Sequence, residues 1–201
     1  MGLPHRDSRR RNVSYKETFR QLIRPLARVL SAMRVRPNAL TAIGWALSVG
    51  AATLFALGHT KTAGAVMLFA GLFDALDGAV ARESNRLSAF GAFLDSTLDR
   101  LSESAIFVGV IFFYATSGRS YETLLAGAAM TFSLMTSYTR ARAEGLGFKC
   151  EVGLLERAGR VVILSLFSLT GFLIVGVGLV AAGAFVTTAQ RILHVRRVTR
   201  V

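Results

Sequence analysis

Apolar residues occur along this chain in long blocks separated by short polar intervals. Six blocks are apolar enough to predict crossing helices: 38–57, 62–82, 90–116, 121–142, 161–177 and 178–194. A hydrocarbon core of about 30 Å takes roughly 20 helical residues to cross, which sets this reading. The last two blocks meet at Gly176–Val177–Gly178, and the paired glycines predict a tight turn between antiparallel helices there. The segment before the first block behaves differently. Over 15–33, Phe19, Leu22, Ile23, Leu26, Val29 and Leu30 recur at helical spacing with Arg20, Arg24 and Arg28 between them. That pattern predicts a basic amphipathic helix lying in the membrane interface. Pro37 breaks it, and Asn38 or Thr41 can start the first crossing helix. The expected fold is all-α: a six-transmembrane-helix bundle over 38–201, preceded by a basic N-terminal region, 1–37, that carries the interfacial helix.

Composition agrees with a membrane chain. The 201 residues are 52% hydrophobic and only 18% charged, with a mean hydropathy of +0.47. Soluble domains carry about 25% charged residues. The charge is one-sided, 24 Lys and Arg against 12 Asp and Glu. If both termini are cytoplasmic, inner segments hold 21 of these cations and outer loops hold two, Lys61 and Arg119, with Arg100 inside the third helix. This asymmetry predicts N-in, C-in topology in the cell membrane. It also accounts for the net charge of +12 through contacts with anionic headgroups, with no nucleic-acid partner. No cleavable signal peptide is expected from the Arg-rich start. The single cysteine, Cys150, leaves no internal disulfide to form.

The chemistry is concentrated in 74–99, DALDGAVARESNRLSAFGAFLDSTLD. Asp74 and Asp77 are three apart and share a face near the end of the second helix. Asp95 and Asp99 are four apart and share a face of the third. With only a short cytoplasmic turn between the helices, an antiparallel pair would gather four carboxylates just inside the membrane boundary. One Asp costs about 2.5–3.5 kcal/mol at the centre of a crossing helix, and clustered anions repel. A bound divalent cation resolves both problems, and oxygen ligands suit Mg²⁺, Mn²⁺ or Ca²⁺. Gly78, Ala81 and Gly91 leave room for a ligand against the backbone, and Arg82 offers a fork suited to phosphate. Two other readings of intramembrane acids are a network that only holds helices together and a divalent-cation transport path. Neither gives the interleaved glycines and Arg82 a purpose.

This stretch resembles the signature of the CDP-alcohol phosphotransferases, D-x2-D-G-x2-A-R-x8-G-x3-D-x3-D, at all eight fixed positions: Asp74, Asp77, Gly78, Ala81, Arg82, Gly91, Asp95 and Asp99. The six-crossing layout resembles that family too. The resemblance implies a membrane enzyme of phospholipid synthesis. It would use Mg²⁺ or Mn²⁺, two ions held by Asp74, Asp77 and Asp95 with Asp99 near the second. Asp99 would be the general base. Gly78 and Gly91 would admit the cytidine of a CDP-linked lipid donor, and Arg82 would contact its phosphates. Asn38 and Thr41, in Pro37–Asn38–Ala39–Leu40–Thr41, resemble a P-N-x-x-T run near the nucleotide; a plain helix N-terminus explains the same residues.

The acceptor is addressed by a second set. Ser137–Tyr138–Thr139–Arg140–Ala141–Arg142–Ala143–Glu144 closes the fourth helix, Glu156–Arg157–Ala158–Gly159–Arg160 opens the fifth, and Gln190–Arg191 ends the sixth. Arg140, Arg157, Arg160 and Arg191 could form a cationic pocket for a phosphorylated polyol. They could also be inside-positive anchors. These runs resemble those of phosphatidylinositol-phosphate synthases, with Arg140 where that group has Lys and Ala158–Gly159 where it has Pro-Glu. The resemblance implies inositol phosphate as acceptor, with glycerol-3-phosphate the alternative. His59 and His194 read as surface or interfacial residues and Trp45 as packing. The small face at Gly127–Ala128–Ala129 suits close helix contact, including a homodimer.

Overall fold

A computed structural model describes residues 21–84 and 88–199, which form helices joined by turns and loops with no strand among them. The expected helical turn at 15–20, and the cations Arg86 and Arg200, lie outside the described residues. Helix α1 occupies 21–32. It is followed by α2 (Pro37–Ala56), α3 (Thr60–Glu83), α4 (Ala89–Thr116), α5 (Ser120–Gly145), α6 (Arg157–Leu169) and α7 (Leu173–Val198). Three of these, α2, α3 and α7, are long and apolar enough to cross a membrane by length and composition alone. α4 and α5 are no shorter than these, at 28 and 26 residues, but carry the charges of the site.

Helix α1 ends where Arg34 takes a left-handed conformation, φ 59°, and the Val35 N–H donates to the Leu30 carbonyl. This wrap-around end is usually made by glycine, because a Cβ disfavours it. Pro37 then opens α2 at a position where its missing N–H costs nothing. Neither Asn38 nor Thr41 is the cap; that place falls to Arg36, with no side-chain bond. Ile23 and Ala27 of α1 are buried against Leu40, Leu76, Ala79 and Val80. Arg24 Nε lies 2.7 Å from Glu83 Oε1, so α1 is pinned to the end of α3. Leu30 packs partly buried on the same cluster, whereas Leu22, Leu26 and Val29 of α1, and Met33 just after it, are exposed.

The long helices close a ring in the order α2, α4, α5, α7, α6, α3 and back to α2. This corrects the simple picture of α3 and α4 as a packed antiparallel pair. α2 lies between them, because its small residues allow close approach on both sides. A Cβ on Gly109 of α4 would run into the Ala52 backbone of α2, and one on Gly44 of α2 would lie 3.4 Å from Phe73 Cβ of α3. The aspartates therefore face each other across the inside of the ring. A second correction concerns the last turn. α6 stops at Leu169, and Gly171, at φ 83°, turns the chain into α7. Gly176 is inside α7 and packs instead: a Cβ there would stand 2.7 Å from Phe167 Cβ. Small residues served contact at 176 and backbone conformation at 171.

One half of the ring is filled by Phe55, Phe107, Val110, Tyr114, Leu164, Val177 and Val180. Outward, Phe69, Phe93, Phe112, Leu124, Phe172, Phe185 and Ile192 are exposed. So much outward apolar surface marks an integral membrane protein, with lipid as its solvent.

Candidate active site

The other half of the ring is polar. Asp74 of α3 and Asp95 and Asp99 of α4 each place a carboxylate oxygen within 4.8 Å of the others. Their helical spacing puts Asp95 and Asp99 on one face, and the ring brings Asp74 opposite. Asp77 stands outside this trio. It is buried, and its Oδ2 accepts a 2.6 Å hydrogen bond from Thr41 Oγ1 of α2. The residue three positions on from Asp74 is thus turned toward α2 and the next cavity, rather than into the trio.

A cation already faces the cluster. Arg157, the first residue of α6, pairs with Asp74 and lies 2.9 Å from Asp99 through the same Nη1. Its Nε is buried and has no hydrogen-bond partner among the described residues. Clustered carboxylates of this kind suit a hard divalent ion, and the guanidinium between two of them stands where positive charge is required. The residues present therefore fit a metal held by Asp74, Asp95 and Asp99.

Three cavities converge on the cluster, each of a different character. The first, about 210 Å³, is lined by Asn38, Thr41, Asp77, Gly78, Ala81, Arg82, Gly91 and Asp95. Gly78, Ala81, Arg82, Gly91, Asn38 and Thr41, the residues expected beside the donor, all lie on it with Asp77, and Asp74 does not. The glycines set its width: a Cβ on Gly91 would be 3.0 Å from Ser88 Oγ and 3.4 Å from Asn38 Oδ1. Ser88 caps α4 by accepting from the Gly91 N–H at 3.0 Å, which fixes this wall.

The second, about 400 Å³, carries five arginines, Arg100, Arg140, Arg157, Arg160 and Arg191, against Asp95, Asp99, Glu144 and Glu156. The four arginines named from the sequence thus share one cavity that ends on Asp95 and Asp99. They are held differently. Arg140 is exposed and pairs with Glu144 at 2.8 Å. Arg160 is buried in a bidentate pair with Glu103, at 2.6 and 2.9 Å. Arg191 is buried, donating to the backbone carbonyls of Val152, at 2.9 Å, and Thr136.

The third is an apolar groove of about 760 Å³ between α3 and α6, lined by Leu68, Phe69, Leu72, Val161, Val162 and Leu169 and reaching Asp74 and Arg157.

Two participants were not identified from the sequence. Glu103 lies four residues beyond Asp99, so the i, i+4, i+8 series Asp95, Asp99, Glu103 was the available signal. Arg100 was placed within its helix without a role; it lines the arginine cavity and donates to the Ser96 carbonyl. His59 and His194 stay away from the cluster. His194 Nε2 is 3.0 Å from the Lys149 carbonyl oxygen, at the loop before α6. Cys150, in that loop, is fully buried and in no disulfide. Trp45 is more exposed than packing alone required and lines a small cavity beside Asp74 and Asp99.

Comparison with known proteins follows the same lines. The sequence profile described as CDP-alcohol phosphatidyltransferase matches residues 34–194. An archaetidylinositol phosphate synthase of Methanothermobacter thermautotrophicus is 38% identical over 188 residues, covering 90% of this chain and 92% of that protein. Among solved structures, Mycobacterium tuberculosis phosphatidylinositol phosphate synthase with CDP-DAG bound superposes with a TM-score of 0.79 at 33% identity, covering 87% of this chain and 94% of that one. The same synthase in complex with manganese and citrate gives 0.78 at 34% identity, over 85% and 87% of the two chains.

Proposed function

The chain belongs to the CDP-alcohol phosphatidyltransferase family, and we propose that it transfers the phosphatidyl group of a CDP-linked lipid to inositol phosphate, releasing CMP. It is a metal-dependent transferase of phospholipid synthesis. The observation that carries the substrate reading is the meeting of three unlike cavities on one aspartate cluster. The narrow glycine-walled cavity suits the cytidine and its phosphates, with Arg82, Asn38 and Thr41 at its sides. The apolar groove suits acyl or ether-linked chains. The arginine cavity suits a phosphorylated polyol. The solved relative with CDP-DAG bound supports the first two assignments.

The chain's own residues then divide the work. Asp99 borders both the cluster and the arginine cavity, so it is placed to take the proton of the acceptor hydroxyl. That oxygen bonds to the lipid-linked phosphorus as the bond to the CMP oxygen breaks, and no phosphoenzyme is needed. The unpartnered Nε–H of Arg157 gives a donor for a substrate phosphate next to the reacting centre. Arg140, Arg160 and Arg191 hold the acceptor phosphate, so orientation supplies much of the rate. Held by Asp74, Asp95 and Asp99, with Asp77 toward the donor side, Mg²⁺ or Mn²⁺ in two positions would neutralise the diphosphate and the departing CMP. The manganese-bound relative supports the choice of a divalent ion.

For the membrane arrangement we infer six crossings, α2 to α7, with α1 in the interface and the site facing the cytoplasm. The placement of 21 cations inside against two outside supports this orientation. α6 has 13 residues, about 20 Å of rise, and is a short crossing whose inner end, Arg157 and Arg160, opens on polar cavities rather than lipid. The catalytic domain is taken as 38–201 and the basic leader as 1–37. Gly127 meets nothing within 4 Å, which leaves that small-residue face open for a second copy of the chain.

The reaction is tested by CMP release from CDP-diacylglycerol and Mg²⁺ with inositol phosphate, glycerol-3-phosphate or free inositol offered separately. Release with inositol phosphate alone is the expected outcome. Release only with glycerol-3-phosphate keeps the chemistry and overturns the acceptor.

A further inference from the structure

We propose that Glu103 is a positioning residue for the acceptor cavity: it holds the Arg160 guanidinium in one orientation, from behind, so that the remaining N–H groups of that fork are fixed for an incoming phosphate. The inference rests on the acceptor reading of the arginine cavity given above.

Glu103 lies outside the aspartate signature and does not line the arginine cavity. It lines instead a small enclosed cavity of about 30 Å³ shared with Asp74, Asp99, Arg157 and Arg160. Arg160 borders both spaces, so it forms the wall between them. On the far side, Glu103 takes the Nε–H at 2.6 Å and one Nη2–H at 2.9 Å, and Nη1 reaches the Leu155 carbonyl at 3.3 Å. A guanidinium has five N–H donors, so two Nη hydrogens are left. The fork is planar, and fixing one edge by two parallel bonds fixes the direction of the other.

The five cavity arginines differ in how firmly they are set, and Arg100 reaches back to the Ser96 carbonyl of its own helix. Arg140 is an exposed partner of Glu144, Arg157 is divided between two aspartates, and Arg191 is held by neutral carbonyls. Only Arg160 has a buried carboxylate of its own; the two side chains are 3% and 9% exposed. A carboxylate at that depth neutralises the guanidinium and removes its freedom to turn toward Asp99. The pair also links α4 to α6 across the ring, between helices that are not ring neighbours. A purely structural clamp is therefore the competing explanation, and the test separates the two.

Full-length wild-type protein and the variants Glu103→Gln, Glu103→Asp and Arg160→Gln are compared in CMP release, varying inositol phosphate and CDP-diacylglycerol in turn, with thermal midpoints recorded alongside. Gln keeps the shape of Glu but offers one acceptor oxygen and no charge. The expected result is an acceptor KM raised about tenfold in Glu103→Gln, with kcat and donor KM within about twofold of wild type. Glu103→Asp restores most of the acceptor KM because the two-oxygen, charged grip returns. An unchanged acceptor KM in Glu103→Gln, beside a raised one in Arg160→Gln, overturns the role of Glu103 and leaves the acceptor cavity standing. Unchanged acceptor KM in both variants overturns the acceptor cavity itself. A parallel fall in kcat and rise in both KM values, or loss of folded protein in both Glu103 variants, identifies a structural clamp and overturns the inference.

Discussion

At the scale of single residues, the site separates carboxylates that look equivalent in sequence. Asp99 faces both the cluster and the arginine cavity, whereas Asp77 is buried against the Thr41 hydroxyl. Replacing Asp99 by Asn keeps volume and removes the proton acceptor. CMP release by Asp99→Asn should fall about 10²- to 10⁴-fold in kcat. A variant retaining more than about a tenth of wild-type kcat would remove Asp99 from the base role. Thr41→Val leaves Asp77 without its hydroxyl donor. A hydrogen bond to a charged group contributes about 1.5–3 kcal/mol, so donor KM should rise about tenfold or more while acceptor KM stays put. Spacing in the sequence marked these acids as a group; it carried no information about Thr41 Oγ1 as the partner of Asp77, since 36 residues separate them. The pairing of Glu103 with Arg160 was hidden for the same reason, the two being 57 residues apart.

At the scale of helices, hydropathy located the elements well and their ends less well. The blocks at 38–57 and 62–82 correspond to Pro37–Ala56 and Thr60–Glu83. The turn placed at Gly176–Gly178 falls instead at Thr170–Phe172, because only Gly171 there has the left-handed backbone a helix end favours. A glycine in a helix needs a neighbour to explain it, and the sequence does not name the neighbour. Gly109 is the sharpest case: its α-carbon faces the Ala52 backbone, which cannot move aside as a side chain can. Gly109→Ala should destabilise the protein by about 1–3 kcal/mol through overpacking. A lowered thermal midpoint in detergent is the readout, and Gly127→Ala, where nothing lies within 4 Å, should leave it unchanged. Equal midpoints for the two variants would deny the close α2–α4 contact.

For the whole molecule, orientation and metal use are the properties to test. Single cysteines introduced at Lys61 and Arg119, at the starts of α3 and α5, should react with an impermeant thiol reagent from outside intact cells, and one at Gln190 should not. Native Cys150 is fully buried and stays silent. The reverse pattern would invert the topology. Removing divalent ions with EDTA should abolish CMP release, and Mg²⁺ or Mn²⁺ should restore it. The protein should remain folded meanwhile, since Arg157 already offsets Asp74 and Asp99.

The sequence by itself determined the all-helical membrane character, the approximate extent of the long helices and the family to which the signature belongs. These are local properties: hydropathy over about 20 residues, and spacing of three or four along one helix. Only the tertiary structure decided that α2 separates α3 from α4, that Asp77 turns toward Thr41 rather than into the trio, and that five arginines from four helices border one cavity. It also paired Arg160 with Glu103 and Arg157 with Asp74 and Asp99. Contacts of that kind depend on which small residues let two backbones approach, as Gly109 and Ala52 do. Such a fit is a property of two surfaces together, and neither segment of sequence contains it alone.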